Sequence, residues 1–159
     1  MTRRFQNFIN GRSIPPNSND WIDSVNPATG EVWAQIARSN VVDVRLAVES
    51  AKRASEQHDW RYNSANRSKI LHDIADRLDS EHQKLIEIEI NDNGKRIREV
   101  KAQMSGLGDW YRHFAVALVH MEVEKLNLNL DGVSAYLDLI PYGVVGAITA
   151  WNSPLMIAA

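Results

Sequence analysis

The feature that most constrains the fold of this chain is an apolar run close to its carboxyl end. Residues 143–149 are rich in β-branched side chains and are flanked by turn residues, which predicts a strand covered on both faces. Ser153 and Pro154 suit the N-cap and the first position of a helix that begins there. The pattern therefore predicts a βα unit. Because open α/β sheets bind ligands beyond the carboxyl ends of their strands, residues 150–152 are expected at a binding edge.

Composition excludes several classes of function. The chain has 159 residues, 44% of them hydrophobic and 24% charged, which is typical of a soluble globular domain. The net charge of −2 provides no electrostatic basis for binding nucleic acid or an anionic membrane. No stretch has the length of a transmembrane helix or the apolar core of a signal peptide, so a cytoplasmic location is expected. Cysteine is absent, which excludes disulfides, thiolate metal sites and a cysteine nucleophile within this sequence.

The first part of the chain is predicted to contain short strands followed by helices. Residues 5–10 and 32–37 are interpreted as strands around a polar loop at 12–19, which is rich in proline, serine and asparagine. Apolar residues at helical spacing then predict a first helix over 43–54 and a second centred on 70–78.

Two more helices are predicted to complete one helical layer. A third helix begins near Ser80 and ends at Gly94, which is expected to be its C-terminal cap. A long fourth helix is expected over 97–121, although two glycines interrupt its middle. Lys95 and Arg96, just after the cap, are interpreted as cations that interact with the helix dipole.

A β-hairpin is predicted after the helices. Leucines alternate with asparagines over 126–130, Asp131 and Gly132 form a tight turn, and a second alternating segment covers 133–139. A two-stranded hairpin is marginal in water by itself, so its apolar face is expected to meet more strands or a partner surface.

These segments carry a family resemblance. The motif Pro141-x-Gly-Val-Val-Gly-x-Ile-x-x-Trp-Asn-x-Pro154 resembles the signature that opens the cofactor domain of NAD(P)-dependent aldehyde dehydrogenases. Phe8-Ile9-Asn10-Gly11, the segment 26–32, the helix at 43–54 and Asn93-Gly94-Lys95 follow in the order of that family. The resemblance covers essentially the whole chain and corresponds to the amino-terminal part, roughly a third, of a full-length enzyme.

The resemblance implies an α/β fold. It consists of an amino-terminal helical layer with short strands, a β-hairpin, and the first strand of an incomplete doubly wound dinucleotide-binding domain. We therefore expect residues 1–121 to form the strands and helical layer, and 122–140 the hairpin, a bridging and oligomerisation element. Residues 141–159 are expected to be the start of a truncated cofactor-binding domain.

Asn152 is the candidate catalytic residue. A carboxamide NH₂ held at a strand end can donate to an oxyanion where negative charge develops in acyl transfer. The resemblance implies this role toward the oxyanion of a thiohemiacetal. The alternative is that Asn152 only turns the chain before the helix, a position that asparagine suits well.

The resemblance implies that Ile148, Thr149, Ala150 and Trp151 line the site of NAD or NADP, whereas ordinary packing at a strand end is the alternative. The chain departs from the commonest family pattern, with Ala150 where proline is usual and Ser153 where an aromatic residue is frequent. A small residue at Ser153 suggests a wider entrance for bulky aldehydes.

The implied function is oxidation of an aldehyde to a carboxylic acid with NAD(P)⁺ through a cysteine thiohemiacetal. Because the chain contains neither the cysteine nucleophile nor the family's general-base glutamate, the isolated chain is predicted to be inactive. It is expected to form a homo-oligomer through the 126–139 hairpin. The alternative is a non-catalytic truncated relative that acts through oligomerisation.

No metal site is predicted. The five histidines show no metal-ligand spacing. Asp73 and Asp76 alternate with basic residues and are interpreted as part of a solvated helix face.

Overall fold

The computed structural model describes residues 2–121 and 123–159, and these form short strands, a helical layer and a hairpin. The strands are β1 Arg3–Phe5, β2 Asn7–Ile9, β3 Arg12–Ile14, β4 Trp21–Val25, β5 Val32–Ala37, β6 Glu124–Leu126 and β7 Ala135–Leu137. The helices are α1 Val41–Ser55, α2 His58–Tyr62, α3 Ser64–Asn93, α4 Ile97–Met104, α5 Leu107–Val119 and α6 Pro154–Ala158. This mixture confirms the predicted α/β class.

A three-stranded sheet with the order β1-β5-β4 precedes the helices. Strand β5 confirms the prediction at 32–37 and pairs in parallel with β1 and antiparallel with β4. The single strand predicted at 5–10 is wrong, because its two ends join different sheets. Strand β1 ends at Phe5 and pairs with β5, whereas β2 begins at Asn7 and pairs with β3.

The predicted loop at 12–19 contains strand β3, which forms a hairpin with β2. The connection is Asn10–Gly11, whose φ angles of 53° and 72° both lie in the left-handed region. Turns of this kind match the twist of the flanking strands and favour the Asn-Gly pair. The Asn10–Gly11 pair thus indicates a hairpin in the sequence. It was overlooked because the polar composition of residues 12–19 favoured a loop.

Helix α1 confirms the helix predicted at 43–54 and extends it at both ends. The Asn40 side chain accepts hydrogen bonds from the backbone N–H groups of Val42 and Asp43, and the Asp43 carboxylate accepts one from Asn40 N–H. The second oxygen of Asp43 accepts the backbone N–H of Asn17 at 3.0 Å. This capping box thus ties the amino-terminal loop to the start of the helix.

The break predicted near Ser80 is wrong, because α3 is a single helix of 30 residues. Ser80 lies inside it, and its hydroxyl donates to the carbonyl of Arg77 at 2.9 Å, so it does not interrupt the backbone ladder. The predicted cap is confirmed. Gly94 has a left-handed φ of 71°, and its N–H donates to the carbonyl of Ile90.

The single helix predicted at 97–121 is also wrong, because Ser105 and Gly106 separate α4 from α5. Glycine is unfavourable inside a helix, and the interruption lets both helices pack on α3. Of the predicted helical layer, the segments after residue 63 pack together as α3, α4 and α5, whereas α1 makes its main contacts with β2 and α2. The buried core of the layer consists of Ile86, Val100, Met104 and Leu107.

The predicted hairpin is present, but its ladder is short. Glu124 pairs with Leu137 and Leu126 with Ala135, whereas residues 127–134 form no strand. The tight turn occurs as expected, since Val133 N–H donates to Leu130 O across Gly132. The left-handed φ of 52° at Asn129 interrupts the alternation between turn and ladder. The first residue of the predicted hairpin segment, Glu122, lies outside the described residues.

Residues 143–149 have no hydrogen-bonded neighbour strand in the described part of the chain, so the strand expected there is not formed in this structure. A strand needs a partner for its N–H and C=O groups, and an apolar sequence alone does not supply one. Its side chains are correspondingly open to solvent: Val145 is 70% exposed and Ile148 fully exposed.

Candidate functional site

The turn over residues 150–153 and the start of α6 form the candidate site. Helix α6 begins at Pro154, as the sequence predicts. Ser153 occupies the N-cap position, but its side chain does not cap the helix. Its hydroxyl instead donates to the carbonyl oxygen of Asn152 at 2.7 Å, while its backbone N–H donates to Ala150 O at 3.4 Å. Ser153 therefore stabilises the turn rather than the helix.

The carboxamide of Asn152 is open to solvent. Asn152 is an exposed residue, and its side chain makes no hydrogen bond to the part of the chain that the structure describes. A local turn-forming role through this side chain, the alternative considered from sequence, is therefore not supported by a contact. Both N–H bonds of the carboxamide are available to an acceptor outside these residues.

The predicted cofactor residues lie on the segment that leads into this turn. Ile148 is fully exposed and Trp151 is 78% exposed, while Thr149 is half-buried and Ala150 is exposed. Within the described residues, this segment therefore presents an uncovered surface, apolar at Ile148 and aromatic at Trp151.

Ser153 does not line an open entrance. Only 4% of its surface is exposed, and its hydroxyl accepts a hydrogen bond from Lys95 Nζ at 2.7 Å. The suggestion that this small residue widens an aldehyde entrance thus loses its basis. The hydroxyl points into the helical layer, where it forms hydrogen bonds with a cluster of polar side chains.

Sequence reasoning missed this cluster, which we call the Lys95 cluster and define as Glu89, Lys95, Gln103 and Ser153. Lys95 Nζ lies 3.1 Å from Glu89 Oε1 and 2.7 Å from Gln103 Oε1. The Glu89 and Lys95 side chains are 2% and 14% exposed. The interpretation of Lys95 as a cation that interacts with the helix dipole did not include this burial or these partners.

A signal for the cluster was present in the sequence. Glu89 lies on α3 between Ile86 and Ile90, which belong to the apolar face of that helix. A carboxylate on a buried face requires a partner, because an unpaired charge in the interior is costly. Which cation supplies that partner depends on the fold, since Lys95 comes from the loop beyond the cap.

A second charged cluster joins α3 to α5. Arg112 Nη2 donates to Asp76 Oδ1 at 2.7 Å and to Asp79 Oδ2 at 2.6 Å. The hydrogen bond to Asp76 raises the pKa of Arg112 above its ordinary value, and the hydrogen bond to Asp79 adds to this shift. Asp76 is thus not only part of a solvated face. It anchors one helix to another, whereas Asp73 pairs locally with Lys69.

Within residues 2–121 and 123–159, histidine, aspartate and glutamate side chains form no group of three or more that could hold a metal ion. Over the same residues, none of the helices combines the length and apolar character needed to cross a membrane.

Comparison with known protein families identifies the class of this protein. The model of the aldehyde dehydrogenase family matches residues 14–159. The chain belongs to this family.

Curated relatives match along nearly the whole chain. An aldehyde dehydrogenase of Rhodospirillum rubrum is 39% identical over 98% of this chain and 30% of its own length. A (Z)-2-((N-methylformamido)methylene)-5-hydroxybutyrolactone dehydrogenase of Acinetobacter baylyi is 33% identical over 99% of this chain and 32% of its own length. The chain thus spans about a third of the length of these relatives.

Solved structures agree. An NAD-dependent aldehyde dehydrogenase from Sinorhizobium meliloti superposes with a TM-score of 0.91 at 30% identity, over 99% of this chain and 32% of that one. Betaine aldehyde dehydrogenase from Staphylococcus aureus, solved in complex with NAD⁺, gives a TM-score of 0.90 at 26% identity, over 97% of this chain and 31% of its own.

Proposed function

We propose that this chain is the amino-terminal part of an enzyme that oxidises an aldehyde to a carboxylic acid with NAD or NADP. Family membership and coverage of about a third of the relatives support this proposal. Under this proposal, residues 1–121 form the strands and helical layer and residues 122–140 form the bridging hairpin. Residues 141–159 form the start of the cofactor-binding domain. The cytoplasmic location stays a prediction, which fractionation of the source cells would test.

The observation that supports the proposed chemistry is the exposed carboxamide of Asn152, which makes no hydrogen bond within residues 2–121 and 123–159. A thiolate adds to the aldehyde carbon and forms a thiohemiacetal, so negative charge develops on the former carbonyl oxygen. An N–H donor at that oxygen lowers the barrier, because it binds the charge more tightly than the neutral carbonyl. The thiolate must come from residues outside this sequence, which has no cysteine.

The segment Ile148, Thr149, Ala150 and Trp151 is proposed to contact NAD or NADP. The uncovered apolar and aromatic surfaces of Ile148 and Trp151 fit a planar, partly apolar group, and Thr149 adds a hydroxyl. When bound, the nicotinamide supplies the hydride acceptor of the reaction. The residues of this chain would bind and orient it beside the Asn152 carboxamide.

The first test is to sequence the source DNA beyond the codon of Ala159. A reading frame that continues into a cysteine and a glutamate supports the enzyme. The complete protein is then expected to form NAD(P)H from an aldehyde, and Asn152→Ala is expected to lower kcat about 10²- to 10³-fold. The exposed Asn127→Ala variant should retain activity, and an unchanged kcat in Asn152→Ala would refute the assigned role.

The exposed hairpin favours a second candidate, a non-catalytic relative that acts through oligomerisation. Leu130 is 60% exposed and Leu139 is 69% exposed, so the hairpin presents apolar surface that a second copy would cover. A stop codon directly after Ala159 would support this candidate and redirect the search toward a protein partner.

A further inference from the structure

The ammonium group of Lys95 is fully matched to its surroundings. It has three N–H donors, and three acceptors converge on it: Glu89 Oε1 at 3.1 Å, Gln103 Oε1 at 2.7 Å and Ser153 Oγ at 2.7 Å. Its position is therefore determined from three directions. Two of the acceptors belong to the helical layer, and the third belongs to the turn beside Asn152.

The hydroxyl of Ser153 is matched in the same way. It accepts from Lys95 Nζ at 2.7 Å and from Gln103 Nε2 at 3.3 Å, and it donates to Asn152 O at 2.7 Å. One donor and two acceptors are all that a hydroxyl has. Because each is used, the hydroxyl cannot rotate without losing a bond, and its donated bond fixes the carbonyl of Asn152.

Lys95 and Gln103 are both held by the helical layer. Lys95 follows the capped end of α3, and its backbone N–H donates to Asn93 Oδ1 at 2.9 Å. Gln103 lies on α4, next to the core residue Met104. A buried ion pair contributes little net stability when both charges must leave water, whereas removing one partner leaves an uncompensated charge and is costly.

We propose that Lys95 is a positioning residue for Asn152, and this inference rests on the function proposed above. Through the Ser153 hydroxyl, Lys95 holds the peptide that follows Asn152 and so orients the backbone that carries the exposed carboxamide. The carboxamide itself stays free to bind an oxyanion. A donor that is oriented before the reaction avoids the cost of reorganisation during it.

The geometric part is tested in this chain by hydrogen exchange. Ser153→Ala removes the link but leaves the Glu89–Lys95 pair intact, and it is expected to lower the protection of the residue-153 amide about tenfold or more. Ser153→Thr keeps a hydroxyl and should restore protection. Ser105→Ala is the matched control, because that hydroxyl also donates to a backbone carbonyl but lies outside the cluster. Unchanged protection in Ser153→Ala would overturn the proposal.

Lys95→Met is the less informative variant, because it leaves Glu89 buried without a cation and the chain can fail to fold. Ser153→Ala keeps the test decisive in that case.

The functional part is tested by a double-mutant cycle in the enzyme expressed from the complete reading frame. Ser153→Ala is expected to lower kcat about tenfold with the cofactor dissociation constant unchanged, and to have no further effect when Asn152→Ala is already present. Additive effects would mean that the cluster acts only on general stability and would overturn the proposal.

The two hypotheses fail differently. A folded, complete wild-type protein that forms no NAD(P)H from any aldehyde refutes the proposed function, whatever the exchange result. An active wild type with additive variants refutes the positioning role alone.

Discussion

Gly94 lies against the ring of Pro27, so closely that a Cβ added to Gly94 would stand 3.0 Å from Pro27 Cβ and 3.1 Å from Cγ. The contact brings the amino-terminal loop onto the end of α3. Nearby, Asn26 Nδ2 donates to Asn91 Oδ1 at 2.9 Å and supports the same approach. Gly94 thus both ends α3 and provides the contact surface for the loop that contains Pro27.

We expect Gly94→Ala to destabilise the protein for two separable reasons. A left-handed backbone costs a residue with a Cβ about 1–2 kcal/mol, and the clash with Pro27 adds about 1–3 kcal/mol. Gly30→Ala is the matched control, because Gly30 has a φ of 73° and no atom within 4 Å of its added Cβ. Urea denaturation measures both. Equal losses in the two variants would show that the Pro27 contact relaxes without cost.

Ile86 is expected to be a principal contributor to the stability of the helical layer. It is 1% exposed and belongs to the buried core, so Ile86→Ala removes packed methyl groups and leaves a cavity. The expected loss in the free energy of unfolding is about 2–5 kcal/mol. Ile97→Ala, at a site that is 50% exposed, should cost much less in the same urea titration. Similar losses would contradict this location of the core.

Arg112→Ala is expected to lower the melting temperature by releasing α5 from Asp76 and Asp79. The raised pKa of Arg112 means that its stabilisation is fully present below the ordinary guanidinium pKa and is lost only as pH rises through the raised value. The stabilisation by Arg112 is therefore expected to stay constant as pH varies around neutrality. Thermal melts in low and high salt check the mechanism, because salt screens exposed pairs.

The control for Arg112 is Arg77→Ala, which breaks only an exposed pair with Glu81 inside α3. Such pairs contribute little, so a small shift is expected. A shift as large as that of Arg112→Ala would argue against the bridge between helices.

The isolated chain is expected to self-associate through its hairpin. Leu139→Lys should raise the fraction of monomer in sedimentation velocity, because it places a charge on an apolar surface that a second copy would cover. Leu46→Lys alters an exposed leucine on α1 and should leave association unchanged. A monodisperse wild-type monomer would contradict the expectation.

Local signals predicted much of this fold. The left-handed end of α3 at Gly94 follows from glycine's lack of a Cβ, and the start of α6 at Pro154 follows from proline's fixed φ. Strand β5 and helix α1 follow from their apolar periods. The short motifs that resemble aldehyde dehydrogenases were likewise readable, because each is a contiguous run of residues.

Other features depended on contacts that a local pattern does not contain. The continuity of α3 through Ser80 reflects packing against α4 and α5, which overrides a weak break signal. The ladder between β6 and β7 stops at Leu126, although leucine and asparagine still alternate in the sequence up to Leu130, because the left-handed backbone at Asn129 departs from the extended conformation.

The Lys95 cluster shows the difference most clearly. The sequence by itself determined the Gly94 cap and the start of α6 at Pro154. Only the tertiary structure decided that Lys95 meets Ser153, a residue 58 positions later, together with Glu89 and Gln103. The physical reason is that caps and turns are satisfied by neighbours in sequence, whereas a buried charge is satisfied by whatever groups the packed helices bring to it.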